Sequence, residues 1–96
     1  MIKHIVMWKV PEENKEETLY QIKEKLEALP AQIPEIKFLE VGFNFNEAPV
    51  ASDVVLVTDF ENKEALEVYQ KHPAHVEVAG YIKEAVTDRT VVDYEF

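Results

Sequence analysis

Residues 2–10 read Ile2-Lys3-His4-Ile5-Val6-Met7-Trp8-Lys9-Val10 and alternate with a period of two. Such alternation predicts a β-strand whose successive side chains point to opposite faces of a sheet. Pro11 ends the strand, because proline has no amide hydrogen to donate to a ladder. One face carries Ile2, His4, Val6, Trp8 and Val10, and the other carries Lys3, Ile5, Met7 and Lys9. Both faces therefore contain apolar side chains, which predicts burial on two sides.

The rest of the chain alternates between helical and extended patterns. A helix is predicted after Asn14, which stands at capping-box spacing from Glu17, and its apolar stripe is Leu19, Ile22, Leu26 and Leu29. Further strands are predicted over 36–45, 52–60 and 89–96. Helices are predicted over 63–71, where Asn62 is the N-cap, and over 73–85, where Pro73 separates the two. The order β-α-β-β-α-β predicts one domain spanning residues 1–96. Its class is α+β, with a ferredoxin-like four-stranded antiparallel sheet and helices on one face.

The face of the sheet that the helices leave uncovered is predicted to be apolar. Its side chains are Ile5, Met7, Ile36, Phe38, Val55 and Val57. Burying one such side chain contributes roughly 1.5–3 kcal/mol, and an exposed apolar patch usually marks an interface. We therefore expect a second copy to cover this face, sheet against sheet, in a two-fold homodimer. The alternative is a monomer that leaves the face in water.

Composition excludes several classes of protein. The 96 residues include 10 basic and 19 acidic side chains, for a net charge of −9. A nucleic-acid or anionic membrane partner would require a cationic surface instead. No apolar run approaches the roughly 20 residues of a membrane helix, and no cysteine is present. We expect a cytoplasmic protein without disulfides.

Two of the three histidines lie in the segment Tyr69-Gln70-Lys71-His72-Pro73-Ala74-His75-Val76. Histidine changes its charge near neutral pH, so it is the usual proton carrier in a catalytic site. Tyr69 and His75 flank the break at Pro73, and His4 projects from the helix side of the first strand. These three polar groups are predicted to converge on a pocket whose walls are Val6, Trp8, Leu26 and Ile82.

Each of these residues also has a purely structural interpretation. His72 precedes proline, so it is predicted to be a structural cap for the following helix. His75 can pack at a helix start, His4 can be a satisfied core histidine, and Tyr69 can be a core aromatic. We predict no metal site, because the proline spoils the one-face spacing of the two neighbouring histidines.

The segments Lys3-His4-Ile5-Val6, Tyr69-x-x-His72-Pro73-x-His75-Val76 and Val91-Val92-Asp93-Tyr94 together resemble the stress-responsive dimeric α/β-barrel (Dabb) family. The resemblance implies a homodimer whose two sheets form a barrel with the helices outside. Similarity to plant polyketide cyclases of this family implies that His75 is a general base and Tyr69 a hydrogen-bond donor, with His4 lining the pocket. Ring closure by an intramolecular aldol addition would then need no cofactor.

Three hypotheses about function follow. The first is a homodimeric Dabb-type protein of no established reaction that binds a small apolar or carbonyl-bearing molecule. The second is a cofactor-independent cyclase, lyase or isomerase that acts through His75 and Tyr69. The third is a structural stress protein without catalysis. A filled interior around His75 would favour the third hypothesis, and an accessible cavity would favour the first two.

Overall fold

The structure is a computed structural model that describes all residues, 1–96. Its elements in chain order are β1 (Ile2–Lys9), α1 (Lys15–Glu27), β2 (Phe38–Phe43), β3 (Val54–Phe60), α2 (Lys63–Lys71), α3 (Pro73–Ala85) and β4 (Asp88–Glu95). A short 3₁₀ turn, Leu29–Ala31, follows α1. None of the helices has the length and apolar character needed to cross a membrane.

The four strands form one antiparallel sheet in the order β2-β3-β1-β4. This is the predicted ferredoxin-like topology. The first and last strands are neighbours, and His4 stands directly opposite Asp93 in their register. The two ends of the chain meet there as well. The backbone N–H of Phe96 donates to the Met1 carbonyl oxygen at 3.0 Å.

The hydrophobic core lies between the helices and one face of the sheet. Burial alternates along β1 and β3, as the period of two predicts, with Val6 and Leu56 buried on the helix side. The helices contribute Ile22 and Leu26 from α1 and Ile82 from α3 to the same cluster. The predicted apolar stripe of α1 therefore faces the sheet.

The opposite face of the sheet is apolar and no element of the chain covers it. Ile5 and its cross-strand neighbour Val57 lie at its centre and are only partly buried. Larger side chains around them are more open, and Val92 is 51% exposed. The face also carries an ion pair between Lys3 and Asp59 at 3.3 Å. The two-sided apolar character predicted for the sheet is thus present.

Strand β4 differs from the others because all eight of its residues are exposed. On the helix-covered face, the helices pack mainly over the strands away from β4: α1 contacts β2, and α2 contacts β3. Nothing covers the helix-side surface of β4, so a space remains between this strand and α3. That space forms the cavity described below.

The predicted bounds of β2 are wrong at both ends. Ile36 lies before the strand and is part of the hydrophobic core, so it is not on the open face. Phe45 lies beyond the strand and is 97% exposed. At the second of these ends, β3 begins at Val54, which pairs with Phe43 and so ends the ladder.

The two asparagines predicted to start helices behave differently. Asn62 accepts a hydrogen bond from the Ala65 N–H at 2.8 Å and caps α2, as expected. Asn14 adopts the left-handed conformation, with φ of 55°, and its side chain caps nothing. The predicted capping box at α1 is therefore wrong. Asn14 instead supplies a backbone conformation that most residues avoid.

Candidate functional site

A cavity of about 420 Å³ lies between α3 and the sheet. Ligand sites typically have volumes of about 300–1,000 Å³. All seven residues that the sequence analysis assigned to the catalytic pair and the pocket line it, namely His4, Val6, Trp8, Leu26, Tyr69, His75 and Ile82. The walls are mainly apolar, and exposed residues of α3 and β4, including Lys83 and Arg89, form the mouth.

Tyr69 lies deepest among the polar residues of the wall. It is 0% exposed and its hydroxyl has no hydrogen-bond partner. The ring packs against Phe60 and His75, with ring centroids 4.9 Å and 4.3 Å away. Burial raises the pKa of Tyr69 to about 12, so the hydroxyl stays protonated at neutral pH. An unpaired buried hydroxyl costs roughly 1–3 kcal/mol, and an acceptor supplied by a ligand would remove that cost.

His75 lies in the first turn of α3, just after the proline break. Its Nδ1 is 3.1 Å from the Gln70 carbonyl oxygen. Because a carbonyl oxygen only accepts, Nδ1 carries the proton and Nε2 of the neutral ring is free to accept one. Burial lowers the pKa of His75, and the nearby charges of His4, Arg89 and His72 add to this effect, while the Gln70 carbonyl opposes it. The neutral form is therefore favoured.

His4 is held by a carboxylate on the neighbouring strand. Its Nδ1 contacts Oδ1 of Asp93, and the imidazole is 3% exposed. The carboxylate accepts, so it fixes the proton on Nδ1 and leaves Nε2 free on the other side of the ring. The His4 and Tyr69 rings meet edge to face, with centroids 6.2 Å apart. His4, Tyr69 and His75 thus lie together, as the sequence analysis placed them.

His72 lies outside the cavity wall. Its Nδ1 accepts the Ala74 N–H at 3.0 Å and caps α3. Each histidine Nδ1 therefore has a partner inside the chain. No group of three or more histidine, aspartate or glutamate side chains is arranged to hold a metal ion.

Sequence reasoning missed several residues of the cavity wall, including Lys83 and Arg89, and it missed Asp93, which pairs with His4 without lining the cavity. Asp93 pairs with His4, and Arg89 stands opposite Trp8 on the same side of β4. The period of two along β4 places Arg89, Val91 and Asp93 on one face. The register between β1 and β4, which local patterns do not encode, decides that this face is the one that carries His4.

The family model described as the stress responsive A/B barrel domain, or Dabb, matches residues 2–96. The chain belongs to the Dabb family. It is 31% identical to an uncharacterised protein of Streptomyces coelicolor, in an alignment of 98 positions that covers 100% of both chains. The Dabb assignment predicted from the sequence is confirmed.

Solved structures show the same fold. A dimeric protein of unknown function with a ferredoxin-like fold from Bacteroides fragilis is 37% identical, with a TM-score of 0.89 over 99% of this chain and 95% of that one. Hydroxynitrile lyase from Passiflora edulis is 18% identical, with a TM-score of 0.87 over 97% of this chain and 90% of that one. The second likeness concerns the fold alone. This chain is thus a Dabb-domain protein, and the two relatives above that share more than 30% identity with it are an uncharacterised protein and a protein of unknown function.

Proposed function

We propose that this Dabb protein is a homodimer that binds a small carbonyl-bearing molecule and catalyses proton transfer at the carbon next to the carbonyl. The observation that carries the proposal is the group of His4, Tyr69 and His75 in one apolar cavity, with the Tyr69 hydroxyl buried and unpartnered. The residues of the chain supply both a proton acceptor and hydrogen-bond donors for such a reaction.

His75 is the base in this proposal. Its free Nε2 takes a proton from the carbon, the C–H bond breaks, and its electron pair becomes the enolate. A lowered pKa keeps the ring neutral and ready to accept the proton at neutral pH. The same nitrogen then returns the proton, either to the carbon of the enolate or to the alkoxide formed when the enolate attacks a second carbonyl group.

Tyr69 is the donor to the developing negative oxygen. The Tyr69 ring lies beside the rings of His4 and His75, and its hydroxyl is buried without a partner, so it can donate to a ligand oxygen that enters the cavity. The raised pKa keeps the proton on the hydroxyl. His4 is a positioning residue, and Asp93 sets its orientation.

Homodimer formation rests on the open apolar face of the sheet. A similar protein of 37% identity is dimeric, and the helices of this chain leave Ile5, Val57 and Val92 without cover. A second copy would bury this face. The cavity itself argues against a purely structural stress protein, because such a role would need no open space around three ionisable side chains.

Phenylacetone is a suitable probe, because it joins an apolar ring to one ketone and its benzylic protons exchange slowly without a catalyst. We expect the protein to accelerate their exchange with deuterium in D₂O, as followed by proton NMR. His75→Ala should lower this acceleration by about 100-fold or more, the usual contribution of a general base. Tyr69→Phe should lower it by about 100-fold through loss of the donor.

Two matched variants serve as controls. Tyr20→Phe removes an exposed hydroxyl on α1, and His72→Asn removes an imidazole while keeping a side chain that can cap α3. Both should keep the exchange rate of the natural protein. An exchange rate that survives His75→Ala, or that falls equally in the controls, would overturn the assignment of the base.

A further inference from the structure

Two cations line the cavity, one on each of the two elements that bound it, α3 and β4. Lys83 projects from α3 and Arg89 from β4, and both line the cavity. Arg89 is the only arginine in the chain. Neither side chain takes part in an ion pair or a side-chain hydrogen bond. An unpaired pair of cations at one opening is unexpected in a chain with a net charge of −9.

The neighbours of both residues explain why they are unpaired. One turn away along the chain, Lys83 has Ala79 and Gly80 on α3 and Val86 and Thr87 just after it, none of which is acidic. Arg89 stands opposite Trp8 in the β1–β4 register. Two carboxylates lie nearby, yet Asp93 is engaged by His4. Asp88 also lines the cavity, but it stands opposite Lys9 in the register and forms no ion pair. Neither carboxylate is therefore paired with Lys83 or Arg89.

We propose that Arg89 and Lys83 bind the carboxylate of an organic acid whose apolar body fills the cavity. The inference rests on the proposed function and names its substrate class as keto acids. The planar guanidinium of Arg89 matches both oxygens of a carboxylate, and Lys83 adds a second charge from α3. The apolar body would then pack against Val6, Trp8 and Ile82, with the carbonyl directed toward His75.

Electrostatics favours a singly charged ligand over a phosphate ester. The protein as a whole repels anions, and this repulsion grows with the charge of the ligand. The two cations at the mouth offset it locally for one negative charge. The charge of Arg89 also helps to lower the pKa of His75, which agrees with a guanidinium on the same cavity wall as the base.

Binding of 3-phenylpropanoate and 3-phenylpropanamide, followed by calorimetry at pH 7 and low salt, tests the inference. The two probes have the same shape and differ in charge. We expect the carboxylate to bind about tenfold more tightly than the amide, the effect of one charge-assisted contact. Arg89→Gln should bring the two affinities together without changing that of the amide. Lys83→Gln should reduce the ratio of the two affinities about threefold, and added salt should reduce this ratio further.

Lys63→Gln is the matched control, since it removes one positive charge from an exposed pair at the start of α2. This variant should bind 3-phenylpropanoate more tightly than 3-phenylpropanamide by the same factor as the natural protein does. Arg89→Lys keeps the charge without the planar fork and should retain part of the preference. Thermal unfolding checks that each variant is folded.

The possible results separate the two proposals. Equal affinity of the natural protein for both probes, or a preference that survives both Arg89→Gln and Lys83→Gln, would overturn the carboxylate site while leaving the proposed function in place. Tighter binding of phenethyl phosphate than of 3-phenylpropanoate would also overturn it, in favour of a phosphate ester. Failure of both phenyl probes to bind would count against the carboxylate site and the proposed function together.

Discussion

At the scale of single residues, the site is organised by what holds each imidazole. Nδ1 of His4 is held by a carboxylate, and Nδ1 of His75 is held by a backbone carbonyl. The charged carboxylate of Asp93 is a stronger acceptor than the neutral carbonyl of Gln70, so it fixes the orientation of the His4 ring more firmly. In the proposed reaction, His75 accepts the proton and His4 is a positioning residue beside Tyr69.

The pH dependence of the proposed exchange reaction follows from His75. Folding lowers its pKa below the ordinary value of about 6.5, so the base form persists to lower pH than in a free histidine. The exchange rate of phenylacetone should fall only as the pH drops through this lowered pKa. Arg89→Gln removes a positive charge, so it should raise the pKa of His75 and move the acidic limb of the profile to higher pH. Lys63→Gln should not move it.

The lowered pKa of His75 also makes the free energy of unfolding decrease as the pH falls. Because the folded state binds the proton of His75 less tightly than the unfolded state does, the contribution of His75 to the free energy of unfolding is fully present above pH 6.5 or so. It is lost as the pH falls through the lowered pKa. If the acidic limb of the exchange-rate profile moved to lower pH in Arg89→Gln, that result would contradict the effect assigned to the charge of Arg89 on the pKa of His75.

The sequence allowed part of this site to be predicted. The period of two in β1 placed His4 beside Val6 and Trp8, and the proline break brought Tyr69 and His75 to one space. Asp93 and Arg89 could not be found in the same way. Their roles depend on which residue of β4 lies opposite which residue of β1, and 89 positions separate His4 from Asp93. Local patterns carry no information about a register over such a distance.

At the scale of elements, the starts of α1 and α2 show how one residue type serves two purposes. Asn62 has an extended backbone and contributes a side-chain acceptor. Asn14 has a left-handed backbone and contributes no acceptor. Both conformations precede a helix, and both suit asparagine for different reasons. The capping-box spacing at α1 was therefore a poor guide to the local structure.

Threonine substitutions distinguish the two asparagines. Asn62→Thr should change the free energy of unfolding by no more than about 0.5 kcal/mol, because threonine caps a helix nearly as well. Asn14→Thr should lower it by about 1–2 kcal/mol, because a β-branched residue is strained in the left-handed region. Urea unfolding measures both values. Asn14→Gly should avoid most of the loss, and equal losses for the two threonine variants would show that the backbone of Asn14 is not the cause.

The strand boundaries show a second limit of sequence reasoning at this scale. The alternating pattern around β2 runs from Ile36 to Phe45, but ladder pairing stops at Phe43, where β3 begins. A strand is as long as its partner allows, and the pattern in one strand does not report the length of the other. The order of elements and the faces of β1 and β3 were predictable, because they depend on local periodicity alone.

At the scale of the whole molecule, the sheet has two surfaces with different roles. The helix side carries the core and the cavity, and the open side carries the apolar face that we assign to a partner copy. The two roles are separated by the thickness of one sheet. Changes on the open side should therefore alter assembly without removing any residue from the cavity wall.

Val57→Lys tests the dimer. Val57 lies at the centre of the open face, with Glu40 opposite it on β2 and Ile5 opposite it on β1. In a monomer the new ammonium group can reach water and Glu40, but in a dimer it would be buried at a high cost. Sedimentation should show the mass falling from twice the chain mass to that of the chain, 11.1 kDa.

Val57→Thr is the matched control for this experiment, since it keeps the shape of valine without a charge. It should remain dimeric at micromolar concentration. A natural protein that sediments as a monomer, or a Val57→Lys variant that stays dimeric, would show that the open face is not the interface.

The meeting of the two ends of the chain has a consequence for engineering. Because Met1 and Phe96 are joined by backbone hydrogen bonds at the β1–β4 edge, a short linker could close the chain into a ring. New ends could be opened in the exposed turn at residues 46–50. In such a circular permutant, β4 and β1 would become one continuous hairpin, and the histidine and the aspartate that now come from opposite ends of the chain would be encoded within a single short stretch.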